Sequence, residues 1–125
     1  MFTRSRSDVE AVNWGNGTSE RLLTLSDSLG FTVAHTIVRA GTRSALQYRN
    51  HLEACYCIAG RGVVESEDGT RRFEIIPGTL YALDEHDRHF LIASDEADLE
   101  LVSIFNPPLS GHERHVLDAA GFSSY

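Results

Sequence analysis

The spacing of its apolar runs most constrains what this chain can fold into. Short β-rich stretches, separated by Gly, Asp, Asn and Pro, recur along the chain, and long amphipathic helical periodicity is almost absent. Such runs bury their apolar side chains by pairing into sheets and stacking those sheets. Candidate strands cover 21–25, 31–40, 45–49, 53–59, 62–66, 71–75, 79–83, 89–93 and 99–106. Nine runs in 125 residues predict one all-β domain spanning 1–125, built as a sandwich or barrel. Glu67-Asp68-Gly69 reads as a hairpin turn, and Ile76-Pro77-Gly78 ends one strand and launches the next. Beyond Pro107-Pro108, residues from about 107 to 125 read as a polar tail that caps the body or closes over it as a lid.

Composition narrows the function classes. All eleven basic residues are arginine, which excludes Schiff-base chemistry, covalent pyridoxal phosphate and a P-loop lysine. A net charge of −7 has the wrong sign for a phosphate backbone and argues against nucleic acid as a partner. No apolar run approaches the roughly 20 residues of a membrane span, and the N-terminal residues are polar, so no membrane partner and a cytoplasmic setting are expected. Cys55 and Cys57, two apart on one predicted strand, are poorly placed for a mutual disulfide and read as reduced.

Gly41, Gln47, Arg49, Glu53 and Gly60 stand at the intervals of the first cupin motif, with Gln47 and Arg49 in place of its two histidines. Gly78 and His89 fit the second motif, with Asp84 and His86 replacing its usual proline and glycine. The chain thus resembles a cupin with an altered metal site, which implies a small jelly-roll barrel. In such a barrel, adjacent strands aim imidazole and carboxylate groups at one point, where they can bind a divalent metal. Glu53 and His89 would survive as ligands, and a third could come from Tyr81, His51 or His86. Each also has an ordinary reading: a buried Glu53 paired with Arg49 or Arg39, and Tyr81 as a core residue with its hydroxyl satisfied.

Three longer stretches, 48–57, 77–89 and 105–115, read together in that order, resemble the ectoine synthases. The likeness runs from about Trp14 to the C-terminus. It implies ring closure of N-γ-acetyl-L-2,4-diaminobutyrate to the compatible solute ectoine, with loss of water, by a cytoplasmic, iron-dependent homodimer. It further implies Fe(II) ligands at Glu53, Tyr81 and His89, and a substrate cavity lined by Trp14, Arg21, Thr36, Tyr48, His51, Phe105, Glu113 and His115. By residue type, Arg21 suits the substrate carboxylate and Glu113 its amino group, while His115 or His51 could move protons. Tyr81 and these last three form the implied catalytic set. The chain departs from the family in a longer Trp14 to Arg21 interval carrying Gly15-Asn16-Gly17, and in Ala34 and Ser103, where some members have a polar residue and a cysteine. Two other classes stay open at this point: another iron-dependent cupin enzyme, such as a dioxygenase or isomerase, and a non-catalytic cupin that binds a small molecule.

Overall fold

A computed structural model describes residues 1–113, 116–117 and 121–124. Its strands are β1 (Ala11–Asn13), β2 (Gly17–Leu23), β3 (Thr32–Val38), β4 (Arg43–Gln47), β5 (Leu52–Ala59), β6 (Gly62–Ser66), β7 (Arg72–Ile75), β8 (Leu80–Leu83), β9 (His89–Ala93), β10 (Leu99–Asn106), β11 (Val116–Leu117) and β12 (Ser123–Ser124). One sheet runs β1-β2-β3-β10-β5-β8 and the other β11-β12-β4-β9-β6-β7. Neighbouring strands are antiparallel except β12, which lies parallel to β4. These two sheets form the all-β sandwich that the strand pattern predicts, in agreement with the jelly-roll barrel that the cupin resemblance implies.

Strand alternation decides which side chains meet. On β10, Leu99, Leu101, Ser103 and Phe105 are buried while Glu100, Val102, Ile104 and Asn106 point away from the interior. On β5 the inward set is Glu53, Cys55 and Cys57. Pairing sets Glu53 opposite Phe105, Cys55 opposite Ser103 and Cys57 opposite Leu101. On the other flank of β5, Leu83 lies opposite Glu53 and Tyr81 opposite Cys55. The facing sheet contributes Leu46, Val64, Ile75, Leu91 and Ala93 to the apolar core. A slip of one residue in any of these pairings would turn the inward set out to solvent, so the apolar face enforces the register.

All nine predicted runs form strands, with shifted ends: the run predicted at 45–49 is Arg43–Gln47, and that at 21–25 is Gly17–Leu23. Strand β1 lies outside those runs because three residues carry no readable period. Its hairpin is closed by Trp14 N–H donating to Gly17 O at 3.1 Å. A Cβ on Gly17 would collide with the Ile37 carbonyl on β3, so this turn requires glycine. Gly60, which ends the first motif, is at φ +79°, and a Cβ there would meet the Asp98 carbonyl. Cys55 and Cys57 are both buried and unbridged, as their spacing predicts.

The tail is anchored at several points. Leu109 is fully buried; its N–H donates to Thr32 Oγ1 at 2.8 Å and its carbonyl accepts from Leu25 N–H at 2.7 Å. Arg21 reaches from β2 to donate through Nη1 to Gly111 O at 3.1 Å and through Nη2 to Glu113 O at 2.8 Å. Farther along, buried Phe122 enters a stack in which the Arg43 guanidinium lies 3.8 Å from the Phe90 centroid. The Phe90 and Phe122 rings are 5.4 Å apart, and the Arg88 guanidinium lies 5.1 Å from the Phe122 centroid. His115 falls outside the described residues.

Candidate active site

Three polar side chains that the apolar pattern alone does not explain meet the interior from two sheets. Glu53 comes from β5 and Tyr81 from β8 in one sheet, and His89 comes from β9 in the other. Their exposures are 6%, 8% and 2%. Each occupies an inward position where a period-2 strand would normally carry an aliphatic residue.

His89 is the most informative. Its Nδ1–H donates to the Asp87 carbonyl at 2.9 Å, which sets the tautomer and leaves Nε2 with a bare lone pair. That Nε2 is buried and has no hydrogen-bond partner. Burial lowers the His89 pKa, against the opposing pull of the Asp87 carbonyl, and so favours the neutral ring. An unpartnered acceptor in a protein interior is costly and marks a place where something else binds.

Glu53 has the complementary problem. Burial pushes its carboxyl up to about 8, and a hydrogen bond with Cys55 pulls the other way. Among the described residues no arginine is paired with it: Arg39 Nη2 donates to Gly15 O, and Arg49 Nε to Gln47 Oε1 at 3.2 Å. Burial, together with the nearby Cys55 and Glu53, holds the Tyr81 hydroxyl well above the usual phenol range. A carboxylate, a phenol oxygen and an imidazole lone pair are hard-to-borderline donors suited to a divalent transition metal. Among the described residues no group of three or more His, Cys, Asp or Glu side chains is arranged to hold one. A metal here would therefore need the Tyr81 oxygen. The Asp87 carbonyl holds the His89 ring, and the Cys55 thiol adjoins the Glu53 carboxyl.

Two cavities adjoin this cluster. The inner one, about 20 Å³, is lined by Glu53 and Tyr81 together with Trp14, Thr36, Tyr48 and Phe105, which brings together four of the residues that the sequence resemblance assigns to substrate. Tyr48 and Phe105 pack edge to face with centroids 5.2 Å apart. An outer groove of about 470 Å³ runs between β8 and β6–β7, and Tyr81 and His89 line it from the other side. The larger space is thus not the one that holds the predicted substrate residues. The inner cavity has room for roughly one water, so an amino acid could enter only if its walls part.

The other predicted residues within the described part of the chain, His51, His86, Arg21 and Glu113, do not line either cavity. His51 packs edge-on against Phe105 with centroids 6.1 Å apart, and its Nδ1–H donates to Pro107 O at 2.7 Å. His86 is engaged with the backbone, its Nδ1–H shared between the carbonyls of Tyr48 and His51 at 2.8 and 3.1 Å. Arg21 donates through Nε to Ser19 Oγ at 2.9 Å, a cavity-lining hydroxyl, while its two terminal nitrogens hold the tail. The Glu113 carboxylate accepts from Ser110 N–H, Ser110 Oγ and Gly111 N–H. Burial raises its pKa, but these donors more than offset that and leave it below the usual range.

A family model described as ectoine synthase matches residues 2–123. The chain belongs to the ectoine synthase family. It is 50% identical over 106 residues to L-ectoine synthase from Desulfatibacillum aliphaticivorans, covering 85% of this chain and 80% of that protein. It is 44% identical over 111 residues to L-ectoine synthase from Halalkalibacterium halodurans, covering 89% and 82%. The crystal structure of ectoine synthase from P. lautus matches with a TM-score of 0.82 at 36% identity, over 89% of this chain and 81% of that one. A Cupin 2 conserved barrel domain protein from Salinispora arenicola CNS-205, at 17% identity and a TM-score of 0.65 over 96% and 89%, shares the fold. Family membership makes this chain an enzyme of the lyase type that acts on a small molecule. Among the described residues, no helix is long and apolar enough to cross a membrane.

Two site residues went unassigned in the sequence reading. Cys55 and Ser103 line the inner cavity and contact one another at 3.4 Å. Their inward positions on predicted strands are the signal that would have flagged them.

Proposed function

We propose that this ectoine synthase family member closes the ring of N-γ-acetyl-L-2,4-diaminobutyrate, with loss of one water, using ferrous iron held by Glu53, Tyr81 and His89. The observation that carries the reading is the buried, unpartnered Nε2 of His89, which shares a groove wall with Tyr81, a residue that also lines the aromatic-walled cavity bordered by Glu53. When bound, iron would act as a Lewis acid toward the amide carbonyl, which is otherwise a poor electrophile.

The chain's own residues supply the rest. The Trp14, Tyr48 and Phe105 walls exclude water and keep a flexible substrate curled, so that amine and carbonyl react within one molecule. Arg21 offers a planar fork for the substrate carboxylate and Glu113 a partner for the amino group. His51, and His115 beyond the described residues, are the groups for moving protons. Arg21 and Glu113 are now bonded to the tail backbone, and the inner cavity is nearly closed. Substrate binding and movement of the segment around Gly111 are therefore coupled, as in a lid.

In the cell, the reading is a cytoplasmic homodimer that makes a compatible solute under osmotic stress. The exposed Tyr56, Leu80 and Ile104 on the outer face of the first sheet provide apolar surface that a second copy could cover. The test is turnover: with Fe(II) under anaerobic conditions, proton NMR should show the acetylated diamine converted to the cyclic product. Binding of the diamine without conversion would contradict the proposal and favour a ligand-binding role.

A further inference from the structure

We propose that Cys55 is a positioning residue for this site, its thiol tying the Glu53 carboxylate to the Tyr81 hydroxyl and being tied in turn to Ser103 and Thr36. The inference rests on the reading of Glu53, Tyr81 and His89 as metal donors and adds the group that orients two of them.

Register places Cys55 at the centre of this arrangement. It lies directly across from Tyr81 on β8 and from Ser103 on β10, two residues along the same inward face from Glu53. The side chain is 1% exposed and lines the same cavity as Glu53, Tyr81, Ser103 and Thr36. Its sulfur is 3.4 Å from Ser103 Oγ, and Ser103 Oγ is 2.9 Å from Thr36 Oγ1. Pairing with β8 and a shared cavity wall set the thiol beside the Glu53 carboxylate and the Tyr81 hydroxyl, and it interacts with both.

Counting hydrogens fixes the direction of the chain. With a metal bound, the Glu53 carboxylate is ionised and only accepts, so Cys55 S–H donates to it. The sulfur then accepts from Ser103 O–H, and Ser103 Oγ accepts from Thr36 O–H. Tyr81 O–H donates to the same sulfur. Every hydrogen in the chain is used once, and both oxygen donors are referred to one atom whose position three strands determine. Cys57 shows what a cysteine with a purely structural role looks like here: it lies two residues on, on the same face, and its Sγ donates to the carbonyls of Ala59 and Gly60. The buried, unpartnered His89 Nε2, on a groove wall shared with Tyr81, is the independent sign that a ligand belongs at this site.

The experiment is anaerobic Co(II) titration of the metal-free protein, read by visible absorption, with the melting temperature of each metal-free variant recorded alongside. Cys55→Val keeps the volume and removes the hydrogen bonds, and it should weaken Co(II) binding by about 10- to 100-fold and shift the absorption band. Cys55→Ser, which keeps a donor and an acceptor, should recover affinity to within a few-fold of wild type, and Cys57→Val should bind as wild type does. Wild-type affinity and spectrum in Cys55→Val would overturn the proposal, as would equal weakening in Cys55→Ser. If Cys55→Val does not fold, Ser103→Ala takes its place: it leaves the thiol but releases it, and should weaken binding several-fold, whereas unchanged affinity overturns the proposal. Failure of the wild type to take up Co(II) would remove the metal reading itself, and this inference with it.

Discussion

His89→Ala should release the metal and lower ring closure by roughly a thousandfold or more, the scale of losing several kcal/mol of charge stabilisation on the reacting carbonyl. The expectation follows from position. The imidazole is the sole donor from the second sheet, and its Nε2 is the one buried side-chain polar atom among the described residues without a partner. Tyr81→Phe and Glu53→Gln should do the same to iron content while preserving shape, because each removes a donor oxygen or its charge and little volume. Iron per chain and kcat, measured on the same anaerobic samples, check this. Far-ultraviolet circular dichroism on those samples separates loss of metal from loss of fold. Retained iron and activity in Tyr81→Phe would contradict the tyrosine's assignment as a ligand.

Metal-free protein should lose stability as pH rises through neutrality, and Glu53→Gln should abolish that loss. Burial sets the Glu53 pKa at about 8 in the folded chain, against an ordinary value of 4.5. The folded state therefore holds a proton that the unfolded chain releases. Stability from this group is fully present below the unfolded value and is lost as pH rises toward the folded one. Between pH 6 and 8 the wild type should lose about 2 kcal/mol relative to Glu53→Gln, a drop of roughly 5–10 °C in melting temperature for a domain of this size. His89 acts in the opposite sense and lower: its depressed pKa gives stability above its unfolded value that is lost as pH falls through the folded one. Comparing wild type with Glu53→Gln cancels that contribution. Parallel pH profiles for the two proteins would show that Glu53 is ionised or solvated in the metal-free state.

Legibility of the structure in the sequence followed the range of the interactions. Long strands were readable because alternation is local: β9 and β10 have the ends that their apolar patterns predict. Strands β1, β11 and β12 were not, since two or three residues have no period. Glu53 and His89 stood out as polar residues at the positions of a known motif. Tyr81 did not, because an inward tyrosine on a strand looks like core, and only the family resemblance raised it as a ligand. The Thr36–Ser103–Cys55 chain crosses three strands, and no local pattern encodes that register. Arg21 and Glu113 show the same limit. Residue type suggests a carboxylate and an amine as their partners, whereas in the structure Arg21 grips carbonyls about ninety positions away and Glu113 binds its own turn.

The most direct measurement is a crystal structure of the protein loaded anaerobically with Fe(II), with diffraction data collected on both sides of the iron absorption edge. The account expects one anomalous peak per chain within bonding distance of His89 Nε2, the Tyr81 phenol oxygen and the Glu53 carboxylate, with an open position facing the cavity walled by Trp14, Tyr48 and Phe105. An anomalous peak elsewhere, or none in crystals of protein that turns over, would contradict it.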